Sequence, residues 1–591
     1  MRHHRAAKPI VESLSVLSVR QAADPPQSTQ FRILVRHFFE RFFAHEMASS
    51  EGDSRTRLLQ VACALGLPNF VVTLYLYTPY HLPHAVRPYW AQVSDHYFYV
   101  LYSFVAMGLL TLFEWDLFFP DLLDLCVLSH LPVRSGRTFR ARVTAIAMLI
   151  AIAVGTSNVL AFIVLPAAVD PPSLFRFWAA HSLAVTSAGV TGATFFLALE
   201  GVLLGLLGDR LFRKVALAIQ GVSVAALLAA LFSFPAASRF LPDLTSSSAA
   251  RGFPPFWFLG LYQTVLGGAA SSEIAPLHAL ARLGFAATVS CAALAAVSYP
   301  LAWLRRTRSL VEGAARKSAH NAVAAPFYGV LHLTAARQPA TRAVWHFISQ
   351  NLLRVPRYRM VLVMVGGAGA ALVFASVARI GIASHRLFFA FSADGLRAAV
   401  PIVAFWTVSG LRSTFLAPAD QRGRWIFRAT AGKASVPHIA AARRWTLTCS
   451  LVLTLAAVLC IALADPRFLL TPRFIAGQLL VAVALSVLLT DAFFLNVKSI
   501  PFTGAKPNAA ANFALLLIPY VGFFPAIVMF TVALEPQFKA TWSRLAWVAA
   551  ICLAAHLALS RLHRGRIADH LSQIEADDDE EEFPLRLGLR Y

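Results

Sequence analysis

The chain has 591 residues, 58% of them hydrophobic and only 14% charged, with a formal net charge of +22. A soluble domain carries roughly 25% charged residues, so this balance excludes an ordinary globular protein and points to one embedded in a membrane along most of its length. The basic residues gather in particular short connections, which argues against nucleic acid as a partner and fits membrane topology and anionic lipid headgroups. The six cysteines, Cys63, Cys126, Cys291, Cys449, Cys460 and Cys552, form no C-x-x-C pair and lie mostly in apolar runs. Neither a disulfide framework nor a metal centre is expected, and no cofactor.

Residues 1–30 are polar, with Pro25-Pro26, and read as a cytoplasmic segment without a cleaved leader. Phe31, Leu34, Val35, Phe38, Phe39 and Phe42 then follow helical spacing, interleaved with Arg32, Arg36, Glu40 and Arg41. That pattern predicts an amphipathic helix lying in the membrane interface. About 20 apolar residues cross a bilayer. On that measure about twelve spans are expected, at 59–78, 96–114, 143–166, 178–207, 215–234, 279–304, 360–378, 387–411, 446–464, 474–497, 512–533 and 543–562.

The connection between the second and third spans, Phe113–Arg142, has unusual content. It carries Glu114, Asp116, Asp121 and Asp124, a break at Leu131-Pro132, and then Arg134, Arg137, Arg140 and Arg142. An apolar helix bearing carboxylates, in a loop that need only cross a membrane surface, suits being held by another protein. Between spans five and six, Pro254–Tyr262 is an apolar block too short to span, expected as a re-entrant or interfacial helix. The basic stretch 305–359 divides the chain and ends in a second amphipathic segment with Val344, Phe347, Ile348, Leu352 and Val355. After the eighth predicted span, Pro418, Asp420, Arg422 and Arg424 echo the first connection by position, which suggests an internal duplication.

Lys and Arg recur in the even-numbered connections and are scarce in the odd ones, so both termini are expected in the cytoplasm. The expected layout is an all-α polytopic protein with two six-helix halves. Residues 1–58 form a cytoplasmic segment, 59–304 the first half, 305–359 a basic linker, 360–562 the second half and 563–591 an acidic cytoplasmic tail.

Two energy sources are open to such a chain, ATP and an ion gradient. Ala431-Gly432-Lys433-Ala434-Ser435 lacks the first glycine of a P-loop, so any ATP-driven motor would be a separate subunit. Ionisable residues inside spans are costly and mark ion pathways, which singles out Glu200, Asp491, His181 and His556; ordinary packing polarity is the bland alternative. Asp394 and Arg397 are close enough to pair. Gly205-Leu-Leu-Gly-Asp209-Arg210-Leu-Phe-Arg213-Lys214 resembles the D-R loop of major facilitator transporters, but it falls in the fourth connection and Phe212 replaces a glycine. No pattern of nucleophile, base or metal ligands suggests an enzyme.

The first half resembles the permease subunit of type-2 ABC exporters. The features that carry the resemblance are Phe31–Phe43 before the first span, Glu114–Leu131 between spans two and three, and Phe253–Gly268 between spans five and six. Asp121-Leu-Leu-Asp124 and Leu131-Pro132 echo that family's D-x-x-L-L-x-x-L-P pattern, with Arg140 and Arg142 in place of a following lysine. The resemblance implies a coupling helix gripped by a separate ATP-binding-cassette ATPase. Its face would come from Leu117, Phe118, Leu122, Leu125 and Leu128 and its edges from Asp116, Asp121 and Asp124, with Glu114 and Pro132 as further coupling-helix candidates. It implies outward movement of a lipid-like or amphipathic substrate, in the plasma (inner) membrane, among lipids. A proton-coupled major-facilitator-like transporter and a non-transporting membrane scaffold are the alternatives.

Overall fold

The computed structural model describes residues 27–43, 54–82, 87–128, 130–267, 271–312, 338–383, 386–416, 435–464, 472–497, 501–502 and 522–577. Within them the chain is helical apart from one two-stranded hairpin. Among the described residues, ten helices are long and apolar enough to cross a membrane. The protein is a multi-pass membrane protein.

The first half begins with α1 (Gln27–Phe43) and α2 (Ser54–Tyr80). Next come α3 (Tyr89–Phe113), a helical elbow of α4 (Trp115–Phe118) and α5 (Leu122–Leu128), and α6 (Ser135–Val169). One continuous helical run, Leu174–Phe232, is broken at Gly208, whose φ of 67° is left-handed backbone that glycine adopts without a Cβ penalty. The break makes two spans, α7 (Leu174–Gly208) and α8 (Lys214–Phe232). Short helical turns fill 234–252, and α9 (Pro254–Leu266) leads to α10 (Ser271–Glu312). The central span is α3, with 72% of its apolar window buried. The expected short block between spans five and six is α9. Phe258, Leu259 and Tyr262 are fully buried, so it is wedged into the bundle rather than resting on it.

The second half comprises α11 (Pro339–Arg354), α12 (Pro356–Val377), β1 (Ala378–Ala383), β2 (Arg386–Phe391) and α13 (Ala393–Leu416). They are followed by α14 (Ser435–Ala464), α15 (Pro472–Phe494), α16 (Phe524–Phe538) and α17 (Trp542–Asp577). The halves meet where α12 crosses α8, with Gly367 directly over the buried Val224. At the outside of the second half, none of the apolar window of α17 is buried.

Two expected spans are not among the ten. Residues 387–391 of the predicted 387–411 span pair as β2 with β1, Leu387 opposite Ile382 and Phe391 opposite Ala378. The helix α13 starts only after Ser392, whose hydroxyl accepts the Gly395 N–H at 3.2 Å and caps the first turn. Its apolar run is interrupted by Thr407, Ser409, Ser413 and Thr414, and it carries Asp394, Arg397 and Arg412. Of the predicted 512–533 span, residues 512–521 lie outside the described residues, and Phe524–Phe538 is an apolar helix too short to cross alone.

The amphipathic helices form as their spacing predicts but do not spend their apolar faces on lipid. Leu34, Val35, Phe38 and Phe42 of α1 are buried in the core of the first half. Val344, Ile348 and Leu352 of α11 are buried with Tyr358 and Phe415. Both faces are met by protein, because α6 and the elbow lie across α1 while α14 lies across α11. The Trp345 indole N–H, for instance, donates to the Ala441 carbonyl at 3.0 Å.

Candidate functional site

The elbow between α3 and α6 is built around a helix start. Asp121 is the N-cap of α5, accepting the Asp124 N–H at 2.7 Å, and Asp124 turns back toward the Asp121 N–H at 3.5 Å. This reciprocal pairing is a capping box with aspartate at both ends, and it satisfies donors that a seven-residue helix would otherwise leave open.

The charges of that box point into the protein. Arg142, at the start of α6 and only 2% exposed, donates to Asp124 Oδ2 at 2.8 Å. Its other nitrogen donates to the Leu117 carbonyl at 2.6 Å and the Phe119 carbonyl at 2.9 Å, binding the chain where α4 ends. The guanidinium also lies over the Phe38 ring of α1 at 4.9 Å and the Trp303 ring of α10 at 5.7 Å. From α1, Arg41 pairs with both Asp121 and Asp124. The Tyr299 hydroxyl of α10 donates to the Phe118 carbonyl at 2.7 Å. Burial works against the Asp124 charge, but the Arg142 and Arg41 guanidiniums outweigh it and hold the carboxyl below the usual carboxylate range.

Glu114, one residue beyond α3, is 4% exposed, and burial pushes its carboxyl up to about 8. Trp115, Phe118 and Phe119 are buried beside it, and Phe118 meets Phe42 of α1 edge-on. Of the residues expected to form a docking face, Phe118 is therefore in the bundle core, Leu117 and Leu128 are half-buried against the bundle, and Leu125 is half-buried. Asp116 and Pro132 are exposed. The apolar surface left outside is Leu122, Val127 and Leu131, about half exposed each, with Cys126 between them and Arg134 and Arg140 exposed beyond. The second-half candidates Pro418, Asp420, Arg422 and Arg424 lie outside the described residues.

The intramembrane candidates separate into three places. Glu200 of α7 is 2% exposed, with Oε2 unpartnered among the described residues; Asp116 and Arg306 are within its electrostatic reach. His181 lies near the opposite end of α7. Its Nδ1 is 3.3 Å from the Tyr262 hydroxyl of α9, and Tyr262 stacks on His96, whose Nδ1 meets Gln263 Nε2 at 2.9 Å. Asp491 of α15 is held by Arg443 of α14 and by His556 of α17, whose Nδ1 is 2.5 Å from Oδ2. Asp394 and Arg397 do pair, at 3.1 Å.

Several of these partners escape a sequence reading. His96, Tyr262 and Gln263 converge from α3 and α9, which are separated by more than 150 residues. Glu535 is fully buried, accepting from Gln478 at 2.7 Å and paired with Lys539. The four-residue spacing of Glu535 and Lys539 is the signal that was present, since it places both on one helix face.

Comparison with protein-family models, with characterised proteins and with solved structures found no match for this chain.

Proposed function

We propose that the chain is the membrane-embedded permease of an ATP-driven exporter, energised by a separate ATP-binding-cassette ATPase that grips the elbow. On this reading the chain carries about twelve spans in two six-span halves, with both termini in the cytoplasm of a plasma (inner) membrane. The supporting observation is the division of labour in α5. Asp124 is committed inward to Arg41 and Arg142 and the capping Asp121 pairs with Arg41, while Leu122 and Val127 of α5 and Leu131 just beyond it face outward with nothing over them among the described residues. A partner that held the exposed face would pull on a rigid piece tied to α1, α6 and α10 together. An apolar helix face in a groove is a standard recognition mode, and here basic Arg134 and Arg140 rim it. The substrate class on this reading is lipid-like or amphipathic.

A photo-crosslinking amino acid at Val127, used in native membranes, tests the reading. It expects capture of a subunit bearing an ATP-binding-cassette signature. Capture of no such subunit, with the exporter intact in the membrane, goes against it.

The burial of Glu200 with one oxygen unpartnered favours a second reading, proton-coupled transport without ATP. Proteoliposomes free of ATP separate the two. The second reading requires a pH-gradient-driven proton flux that Glu200→Gln abolishes, and the first requires none.

A further inference from the structure

A cavity of about 540 Å³ opens between α14, α15 and α17, in the half of the chain away from the elbow. Its walls are apolar, with Leu447 from α14, Val483 and Val487 from α15, and Leu553 from α17. One end is polar, formed by Arg443, Arg444, Asp491 and His556. The charges there do not cancel. Asp491 neutralises Arg443, while Arg444 is exposed and forms no ion pair among the described residues. Two guanidiniums against one carboxylate leave positive charge in excess.

Depth fixes what kind of molecule fits. Arg443 and Arg444 lie seven and eight positions into the span Pro437–Ala464, Asp491 lies three before the end of Pro472–Phe494, and His556 lies ten before the end of Trp542–Arg566. The three helices bring their polar groups to the same membrane face, at the depth where headgroups meet acyl chains. From there the walls run apolar toward the membrane interior. The cleft also opens sideways, since Val483 is 43% and Leu553 58% exposed while both line it. A water-soluble ligand would have no use for an apolar trough open to the hydrocarbon region. A molecule with an anionic head and an acyl tail matches both ends of the site and can enter laterally.

We infer that this cleft is a binding site for a phospholipid with an anionic headgroup. Arg444 takes the headgroup charge, the Arg443–Asp491–His556 cluster closes the head end, and Leu447, Val487 and Leu553 hold the acyl chain. The inference does not rest on the ATPase reading, because lipid retention is measured in the purified chain without turnover.

The test uses the full chain in nanodiscs doped with a photoactivatable phosphatidylglycerol or a photoactivatable phosphatidylcholine, with labelled peptides mapped by mass spectrometry. The expected result is preferential phosphatidylglycerol labelling of the peptides around 480–488 and 549–556. Near a membrane surface one basic residue is worth about fivefold in lipid affinity. Arg444→Gln should therefore remove most of that preference, Arg444→Lys should keep it, and Val483→Trp should lower labelling by both lipids by filling the trough. Arg444 is exposed and forms no ion pair among the described residues, so its variants test the site without testing the fold. Equal labelling by the two lipids, an unchanged preference in Arg444→Gln, suppression by free glycerol phosphate, or cross-linking of these peptides to a second copy of the chain would each overturn the inference.

Discussion

Arg142 shows how much a single buried side chain can organise. It ties two backbone carbonyls, one carboxylate and two aromatic rings into one contact point among α1, the elbow, α6 and α10. Removing one partner of a buried ion pair leaves the other charge uncompensated, at a cost of roughly 3–5 kcal/mol. Arg142→Ala is accordingly expected to lower the thermal unfolding midpoint in detergent sharply, while Arg140→Ala, at an exposed position two residues earlier, leaves it nearly unchanged. Glu114 carries the opposite sensitivity. An unfolded glutamate ionises near ~4.3, and burial moves this one up to about 8. Between those values the folded chain holds a proton that the unfolded chain has lost. Stability therefore falls as pH rises through that window and levels off above it. Glu114→Gln should flatten this slope, read from unfolding midpoints between pH 5 and 8. The residue types of the elbow were legible in the sequence, but their partners were not. Arg41 lies 83 positions from Asp124, and nothing in the spacing of either says that they meet.

At the scale of the element, α5 is held by its cap. An aspartate N-cap is worth about 1 kcal/mol, and here Asp121 also receives Arg41. Asp121→Ala should speed amide hydrogen exchange in both α5 and α1 while leaving α7 unchanged, because it removes the cap and one anchor of α1 together. The helical periodicity of α1 and α11 was readable from sequence, and their faces formed as spaced. What covers those faces was not, since an apolar stripe looks the same whether lipid or protein lies over it. The hairpin β1–β2 was missed for a similar reason. Arg386-Leu-Phe-Phe-Ala-Phe391 joins an apolar run to the following helix without a break that composition alone can locate.

Across the whole molecule, ten spans and their broad order were legible, because a bilayer imposes length and apolarity directly on sequence. The contact between halves was not, because it depends on a missing side chain. A Cβ on Gly367 would sit 2.6 Å from Val224 Cγ1, whereas one on the neighbouring Gly366 would meet nothing within 4 Å. Overpacking a close helix contact costs roughly 1–3 kcal/mol. Gly367→Leu should therefore destabilise the full chain and Gly366→Leu should not, as read by unfolding in the same detergent. That pair would also show whether the two halves behave as one cooperative unit, since a local effect would split the transition.

If a separate motor drives the chain, the exposed face of α5 is its handle. The most direct measurement is affinity purification of the full chain from its native membranes, beside a Leu122→Glu, Val127→Glu double variant that alters only half-exposed positions and leaves the Arg41 and Arg142 pairs intact. The account predicts that an ATP-binding-cassette subunit accompanies the unaltered chain and is lost from the variant, with the unfolding midpoint unchanged. The same subunit retained by a correctly folded variant, or no such subunit with either chain, would contradict it.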